Sequence, residues 1–134
     1  MENENCIFCK MVRGEIPIEK VFENKKFIAI LDAFPILNGQ LLVIPKEHIS
    51  SYVFDLDNEI YTEFMLLAKK LAKRLDKSIR PIKTGMIIEG LEVPHAHIKL
   101  LPLMDKKGYN LKPMKQIPSK EELKLMAEKI TRKR

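Results

Sequence analysis

The stretch VPHAHIKLLP, residues 93–102, places two histidines and a lysine at alternate positions of an apolar segment. Successive side chains of a β-strand point to opposite faces, so a strand here carries His95, His97 and Lys99 on one face. The other face receives the apolar residues between and after them: Ala96, Ile98 and Leu100. Three nitrogen-bearing side chains about 6.7 Å apart, from roughly 3.3–3.4 Å of rise per residue, suit a chemical site better than a packing surface.

The composition is that of one globular domain. The chain has 134 residues, of which 46% are hydrophobic and 31% are charged, which is enough for one sizeable core. No apolar stretch comes near the length of about 20 residues that is needed to cross a bilayer. The first residues, MENENC, lack the basic start and apolar run of a secretory signal. We therefore expect a cytoplasmic protein without a membrane association.

Hydrophobic periodicity predicts strands on both sides of one long helix. From Asp57 to about Ser78, apolar residues recur at three- and four-residue steps and form one stripe: Leu56, Ile60, Phe64, Leu67, Leu71 and Leu75. Ser119, three residues before Glu122, predicts a capping box that starts a last helix. The strand-like runs are KVFEN, KFIAILD, QLLVIP, TGMIIE and HAHIKLLP. This order predicts an α+β fold, with the long helix packed on an antiparallel sheet and a C-terminal helix.

The positive charge of the chain does not by itself indicate nucleic-acid binding. The formal net charge is +6, and much of the excess lies on the long helix and in the tail TRKR. Neither run is interleaved with aromatic residues that could stack on bases. A solvated helix face explains the helix charges better, so we disfavour a nucleic-acid partner. A basic surface would still attract small anionic substrates.

The cysteines and histidines of the chain include more good zinc ligands than one site needs. Cys6 and Cys9 form a C-x-x-C pair, a spacing typical of one half of a zinc site. A redox role is disfavoured because no strand precedes the pair. His48 follows a strand end, and either His95 or His97 could supply the fourth ligand. A catalytic metal site built from the three histidines is the open alternative.

Three blocks of the sequence together resemble the HIT (histidine triad) family. They are CIFCKMVRGEIP, FIAILDAFPILNGQLLVIPKEHIS and VPHAHIKLLP, in the family's order, and they span about residues 6–102. The resemblance implies a HIT-like nucleotide-binding domain over residues 1–110, with residues 111–134 as a C-terminal extension of the same domain. It implies a nucleotide hydrolase or nucleotidyl transferase that acts at the α-phosphate of a nucleoside phosphoramidate or dinucleoside polyphosphate. A homodimer is also implied.

The resemblance also assigns roles to single residues. His97 matches the nucleophile, which would form a nucleotidyl-histidine intermediate, and Lys99 takes the third catalytic position. Four residues match the ligands of a structural zinc ion: Cys6, Cys9, His48 and His95. Six residues are assigned to the nucleotide site: Phe8, Met11 and Ile30 around the base, Asp32 at the ribose, Lys99 at a phosphate oxygen, and Gln40, which takes the position of a further histidine of the family.

The sequence departs from the family at four points. Lys99 replaces the third histidine, Gln40 replaces a further histidine, Leu91 replaces a glutamine, and an upstream asparagine has no counterpart. Lys99 could bind a phosphate oxygen and would lower the pKa of His97, although a solvated lysine at the sheet surface is the alternative. Because the third histidine is lost, a nucleotide-binding module with little or no turnover is the second functional hypothesis. A basic RNA-associated zinc protein is the third.

Overall fold

A computed structural model describes residues 4–107 and 112–132 of the chain. The N-terminal segment contains a short helix, and the chain then forms three strands, a long helix, two more strands and a last helix. The elements are α1 (Ile7–Val12), β1 (Lys20–Glu23), β2 (Phe27–Leu31), β3 (Leu41–Pro45), α2 (Asn58–Ser78), β4 (Lys83–Ile87), β5 (Ile98–Leu103) and α3 (Lys120–Arg132), with a 3₁₀ turn at Val53–Asp55.

The five strands form one sheet in the order β1-β2-β3-β5-β4, and every neighbouring pair is antiparallel. Helices α2 and α3 pack against the sheet and against each other. The predicted α+β fold, an antiparallel sheet with a long helix on it and a C-terminal helix, is confirmed.

Both faces of the central strands are buried, which explains their continuously apolar sequences. On the helix side, Ala29, Leu31 and Val43 join the main core, to which α2 contributes Phe64, Leu71 and Leu75. The alternate residues of the same strands face a second cluster that also contains three residues of the N-terminal segment: Ile28, Ile30, Leu42 and Ile44 with Cys6, Phe8 and Cys9. Successive residues alternate between the two clusters because successive side chains of a pleated strand point to opposite faces. The face away from α2 is therefore the one that meets the N-terminal segment.

Both long helices begin at a capping side chain, and the sequence analysis predicts the second of the two caps. Asp57 caps α2 by accepting a hydrogen bond from the backbone N–H of Ile60. Ser119 and Glu122 form the predicted capping box, with N–H donations in both directions at 2.9 and 3.1 Å. Ala127 and Ile130 of α3 are buried in the main core. The predicted boundary between residues 110 and 111 lies outside the described residues.

The strand predicted from His95 begins three residues later, at Ile98. The N–H of His95 donates to the carbonyl of Val93, and the N–H of Ala96 donates to the carbonyl of Ile49. The first bond is a local turn, and the second ties the backbone before Ile98 to the loop after β3. The predicted alternation nevertheless holds, since Ala96, Ile98 and Leu100 belong to the main core.

None of the helices within residues 4–107 and 112–132 is both long and apolar enough to cross a bilayer.

Candidate active site

Four side chains from three separate parts of the chain form a cluster with the dimensions of a metal site. The ligand atoms all lie within 4.8 Å of one another: Cys6 Sγ, Cys9 Sγ, and a ring nitrogen each from His48 and His95. Nδ1 of His95 lies 3.3 Å from the sulfur of Cys6 and 3.5 Å from the sulfur of Cys9. It lies 3.1 Å from Nδ1 of His48. Tetrahedral zinc, with bonds of about 2.3 Å to sulfur and 2.0–2.1 Å to nitrogen, needs S–N separations of about 3.5 Å and N–N of about 3.3 Å. The donor set and its spacing fit such an ion.

Helix α1 brings the two cysteines together. Cys6 is the N-cap of this helix, with an extended backbone, and its sulfur accepts from the N–H of Cys9 at 3.5 Å. One turn of helix then places the Cys9 sulfur beside that of Cys6, and both residues are buried. The C-x-x-C spacing therefore puts two sulfur ligands on one side of a small site.

His95 is held in the tautomer that a metal ligand requires. Its Nε2 donates to the carbonyl of Pro45 at 2.8 Å, so Nδ1 keeps its lone pair and faces the two sulfurs. Burial lowers the pKa of His95 to about 4, which keeps the ring neutral. A backbone carbonyl is one of the usual partners of the second nitrogen in a metal-binding histidine.

His97 lies outside this cluster and keeps one ring nitrogen for other chemistry. Its Nδ1 donates to the carbonyl of His95 at 2.9 Å, and the ring packs edge-on against Phe8 at a centroid distance of 5.0 Å. Nε2 is then the nitrogen with the lone pair. Burial lowers the pKa of His97, and the nearby Lys99 ammonium acts in the same direction, as the sequence predicts. His97 therefore offers a neutral, oriented imidazole.

A cavity of about 480 Å³ opens beside His97 and contacts all the residues assigned to the nucleotide site. Its apolar part includes Phe8, Met11 and Ile30, and its polar part includes Asp32, Gln40 and Lys99. Sequence reasoning missed further lining residues, among them Ile16 and Ile18 and, from the C-terminal segment, Leu123. Only the folded chain brings these distant segments to one cavity.

Asp32 is oriented by two direct hydrogen bonds, one of which comes from Gln40. One carboxylate oxygen of Asp32 accepts from the N–H of Phe34, and the other accepts from Nε2 of Gln40, both at 2.9 Å. The Gln40 amide is in turn fixed because its Oε1 accepts from the N–H of Ile36 at 2.7 Å. Burial raises the pKa of Asp32. The exposed fraction of Gln40 is 1%, and its amide bridges the Ile36 N–H and the Asp32 carboxylate.

Lys99 is buried between two carboxylates, so the alternative of a solvated surface lysine is wrong. Nζ lies 2.9 Å from Oε1 of Glu89 and 2.8 Å from Oε1 of Glu92, and the exposed fraction of the Lys99 side chain is 9%. Sequence reasoning missed both glutamates. A signal was present, since EGLE places an acid on each side of Gly90 in the connection that leads to the histidines.

Comparison with known proteins shows which family the chain belongs to. The sequence profile of the HIT domain matches residues 13–106. The chain belongs to the HIT domain family. The adenosine 5′-monophosphoramidase of Saccharomyces cerevisiae is 39% identical over 105 residues, which make up 77% of this chain and 65% of the yeast protein. The family resemblance of the three sequence blocks is thereby confirmed.

Solved HIT structures share the fold over almost the whole chain. A Hit-like protein involved in cell-cycle regulation from Bartonella henselae has a TM-score of 0.85 and 29% identity, with 97% of this chain and 96% of that one covered. A Zn-bound histidine triad family protein from Mycobacterium smegmatis has a TM-score of 0.78, and the match covers 96% of this chain and 94% of that one. At 22% identity the latter shows the shared HIT fold alone.

Proposed function

We propose that this HIT protein is a nucleotide hydrolase or nucleotidyl transferase that acts at an α-phosphate through His97. The observation that supports it best is the His97 ring, whose Nδ1 is held by the His95 carbonyl at 2.9 Å while the ring lines the cavity. The yeast relative is named an adenosine 5′-monophosphoramidase, which makes adenosine phosphoramidates the first substrates to test.

The reaction would take place in two steps. Nε2 of His97 attacks the α-phosphorus, a P–N bond to the ring forms, and the bond to the leaving group breaks. In a phosphoramidate, the leaving nitrogen takes the electron pair of its bond to phosphorus and a proton from solvent. Water then attacks the nucleotidyl-histidine, the bond from phosphorus to Nε2 breaks, and a nucleoside monophosphate and a proton are released.

The remaining cavity residues would bind the nucleotide around this reaction. Phe8, Met11 and Ile30 supply an apolar surface on which a base can stack, and the oriented carboxylate of Asp32 can accept from ribose hydroxyls. Gln40 would act on the nucleotide by positioning Asp32. Lys99 has three N–H donors, two of which meet Glu89 and Glu92, and the third could reach a phosphate oxygen.

The cluster formed by Cys6, Cys9, His48 and His95 would hold zinc in a structural role. A closed site with four protein ligands supplies no open coordination position, so the metal would fix the backbone beside His97 and take no part in the reaction. The variant third position, Lys99, would then distinguish this zinc-containing HIT protein from relatives with three histidines.

The test is turnover of adenosine 5′-phosphoramidate by the wild type and by His97→Ala. We expect the wild type to release AMP and ammonia, and the variant to lose at least about a thousandfold in kcat/KM because the nucleophile is absent. An adenylyl adduct on His97 should appear in the mass of wild-type protein quenched with alkali. Equal zinc content and equal Tm in the two proteins control for folding. Equal turnover by both proteins would contradict the proposal.

A binding module with little turnover is the second candidate, and the state of Lys99 favours it. The ammonium is already paired with two carboxylates, so it is a weaker substitute for the third histidine. This candidate predicts that AMP binds to both proteins while neither turns over the phosphoramidate. A homodimer and a cytoplasmic location stay predictions.

A further inference from the structure

We propose that Glu89, Lys99 and Glu92 form a charge filter that selects substrates by their leaving group. The filter would favour nucleoside 5′-phosphoramidates whose leaving amine carries a positive charge, and it would disfavour anionic leaving groups, polyphosphates included. This inference rests on the proposed function, because it concerns the leaving group that His97 displaces.

The position of the cluster is set by the sheet. Ile30 on β2 pairs with Leu42 on β3, and Leu42 pairs with Lys99 on β5, so the three residues form a row across the cavity face. With about 4.8 Å between neighbouring strands, Lys99 lies about 10 Å from Ile30. A nucleotide with its base near Ile30 and its α-phosphate at His97 would direct its leaving group towards Lys99 and Glu92, which line the same cavity.

The charges of the cluster do not cancel. Two carboxylates lie within 2.9 Å of one ammonium, which leaves one negative charge where a lone lysine would leave one positive charge. The ion pair lowers the pKa of Glu92, and the two glutamates raise the pKa of Lys99 against the effect of its burial. Both groups of this pair are therefore charged at neutral pH.

Glu92 is the member of the cluster that a substrate can reach. The exposed fraction of its side chain is 67%, compared with 31% for Glu89 and 9% for Lys99. We take a leaving group with one positive charge about 6 Å from the net negative charge of the cluster. Coulomb's law with an effective dielectric constant between 80 and 20 then favours it over an uncharged leaving group by about threefold to a hundredfold. An effect of this size is measurable in kcat/KM.

The test uses three adenosine 5′-phosphoramidates whose leaving amines have similar size and different charge. They carry an N-(2-aminoethyl), an N-propyl or an N-(2-carboxyethyl) group. In each, the nitrogen bound to phosphorus leaves with the electron pair of that bond and a proton from solvent, so the same bond breaks in all three. The readout is the ratio of kcat/KM for the aminoethyl compound to that for the carboxyethyl compound.

We expect this ratio to fall about tenfold or more in Glu92→Gln relative to wild type, because the two leaving groups differ by two unit charges, and to fall further in Glu92→Lys. Comparing the ratio between proteins removes the intrinsic reactivity of each substrate. Glu59→Gln, an exposed glutamate on α2, is the matched control and should leave the ratio unchanged. Higher salt should lower the wild-type ratio, since the Debye length falls from about 30 Å at 0.01 M to 3 Å at 1 M.

The possible failures are distinguishable. If His97→Ala abolishes turnover of the propyl compound but Glu92→Gln leaves the ratio unchanged, the charge filter is wrong and the proposed function stands. A wild-type preference for the carboxyethyl compound would overturn the filter in the same way. If the wild type turns over none of the three compounds faster than His97→Ala, both proposals fail.

Discussion

Single side chains at this site depend on the partners that surround them. His97 is kept neutral mainly by burial, and the Lys99 ammonium adds to this effect while Glu92 and Glu89 oppose it. The same two glutamates compensate the charge of Lys99 before any ligand binds. A lysine in this position is therefore part of a three-residue unit, and its effect on a phosphate depends on both acids.

Lys99→Met should raise the pKa of Glu92 to its ordinary value of 4.5 or above, because the hydrogen bond and charge that lower it are lost. Glu92 has a pKa of 4.5 in the unfolded chain and a lower pKa in the folded protein. The ion pair therefore stabilises the wild type fully above pH 4.5, and this contribution is lost as the pH falls through the lower, folded-state pKa. NMR titration of the Glu92 carboxyl carbon measures the shift. Lys83→Met is the control, because Lys83 lies at the start of β4, far along the strand from Ile87, which pairs with Lys99. An unchanged Glu92 pKa in Lys99→Met would contradict the ion pair.

At the level of helices and strands, the connection between β4 and β5 positions both the acids and the histidines. It contains Gly90, whose φ is +66° and whose missing side chain faces the backbone of Ser51. A Cβ at this position would overlap the Ser51 carbonyl oxygen. Glycine is therefore required both by the backbone conformation and by the close contact between two loops.

A left-handed conformation costs an alanine about 1–2 kcal/mol. Gly90→Ala should destabilise the fold by more than this, because the loop that contains Gly90 must also move away from the loop that contains Ser51. Gly14→Ala is the matched control. Gly14 has φ +81°, and a Cβ at this position would meet no atom within 4 Å, so this variant bears the conformational cost alone. Urea denaturation of the two variants gives the comparison. Equal losses would mean that the contact with Ser51 does not restrict the connection.

For the chain as a whole, the cluster of four possible metal ligands connects segments that are distant in sequence. Cys6 and Cys9 come from the N-terminal helix, His48 from the loop after β3, and His95 from the segment before β5. An ion bound by all of them would add its binding free energy to the folding free energy, because the unfolded chain does not hold the four ligands together.

Purified protein should contain one equivalent of zinc, and Cys6→Ser should contain none. Loss of the metal should lower Tm by about 4 °C for each kcal/mol of lost stability. Elemental analysis and thermal denaturation, with and without a strong chelator, measure both effects. His97→Ala is the control that should keep its zinc. Zinc retained by Cys6→Ser, or lost by His97→Ala, would contradict the division between a metal-binding histidine and a free one.

Local patterns of the sequence were sufficient for most of the fold. The 3.6-residue stripe of α2 and the Ser119 capping box depend on residues within a few positions of one another, so they are readable without coordinates. The alternation of Ala96, Ile98 and Leu100 also held, although β5 begins only at Ile98. That start could not be predicted, because it depends on a hydrogen bond from Ala96 to distant Ile49.

The sequence alone established the family through its motifs and predicted which residues could bind a metal or a nucleotide. The residue pattern left open whether His95 or His97 joins the cysteines, and the resemblance assigned His95. Tertiary structure shows where each histidine lies. It placed His95 with the cysteines and left His97 beside the cavity, and it paired Lys99 with two glutamates. The physical reason is that tautomers, burial and ion pairs depend on contacts between segments up to about 90 residues apart, as between Cys6 and His95. Residue spacing along the chain does not determine such contacts.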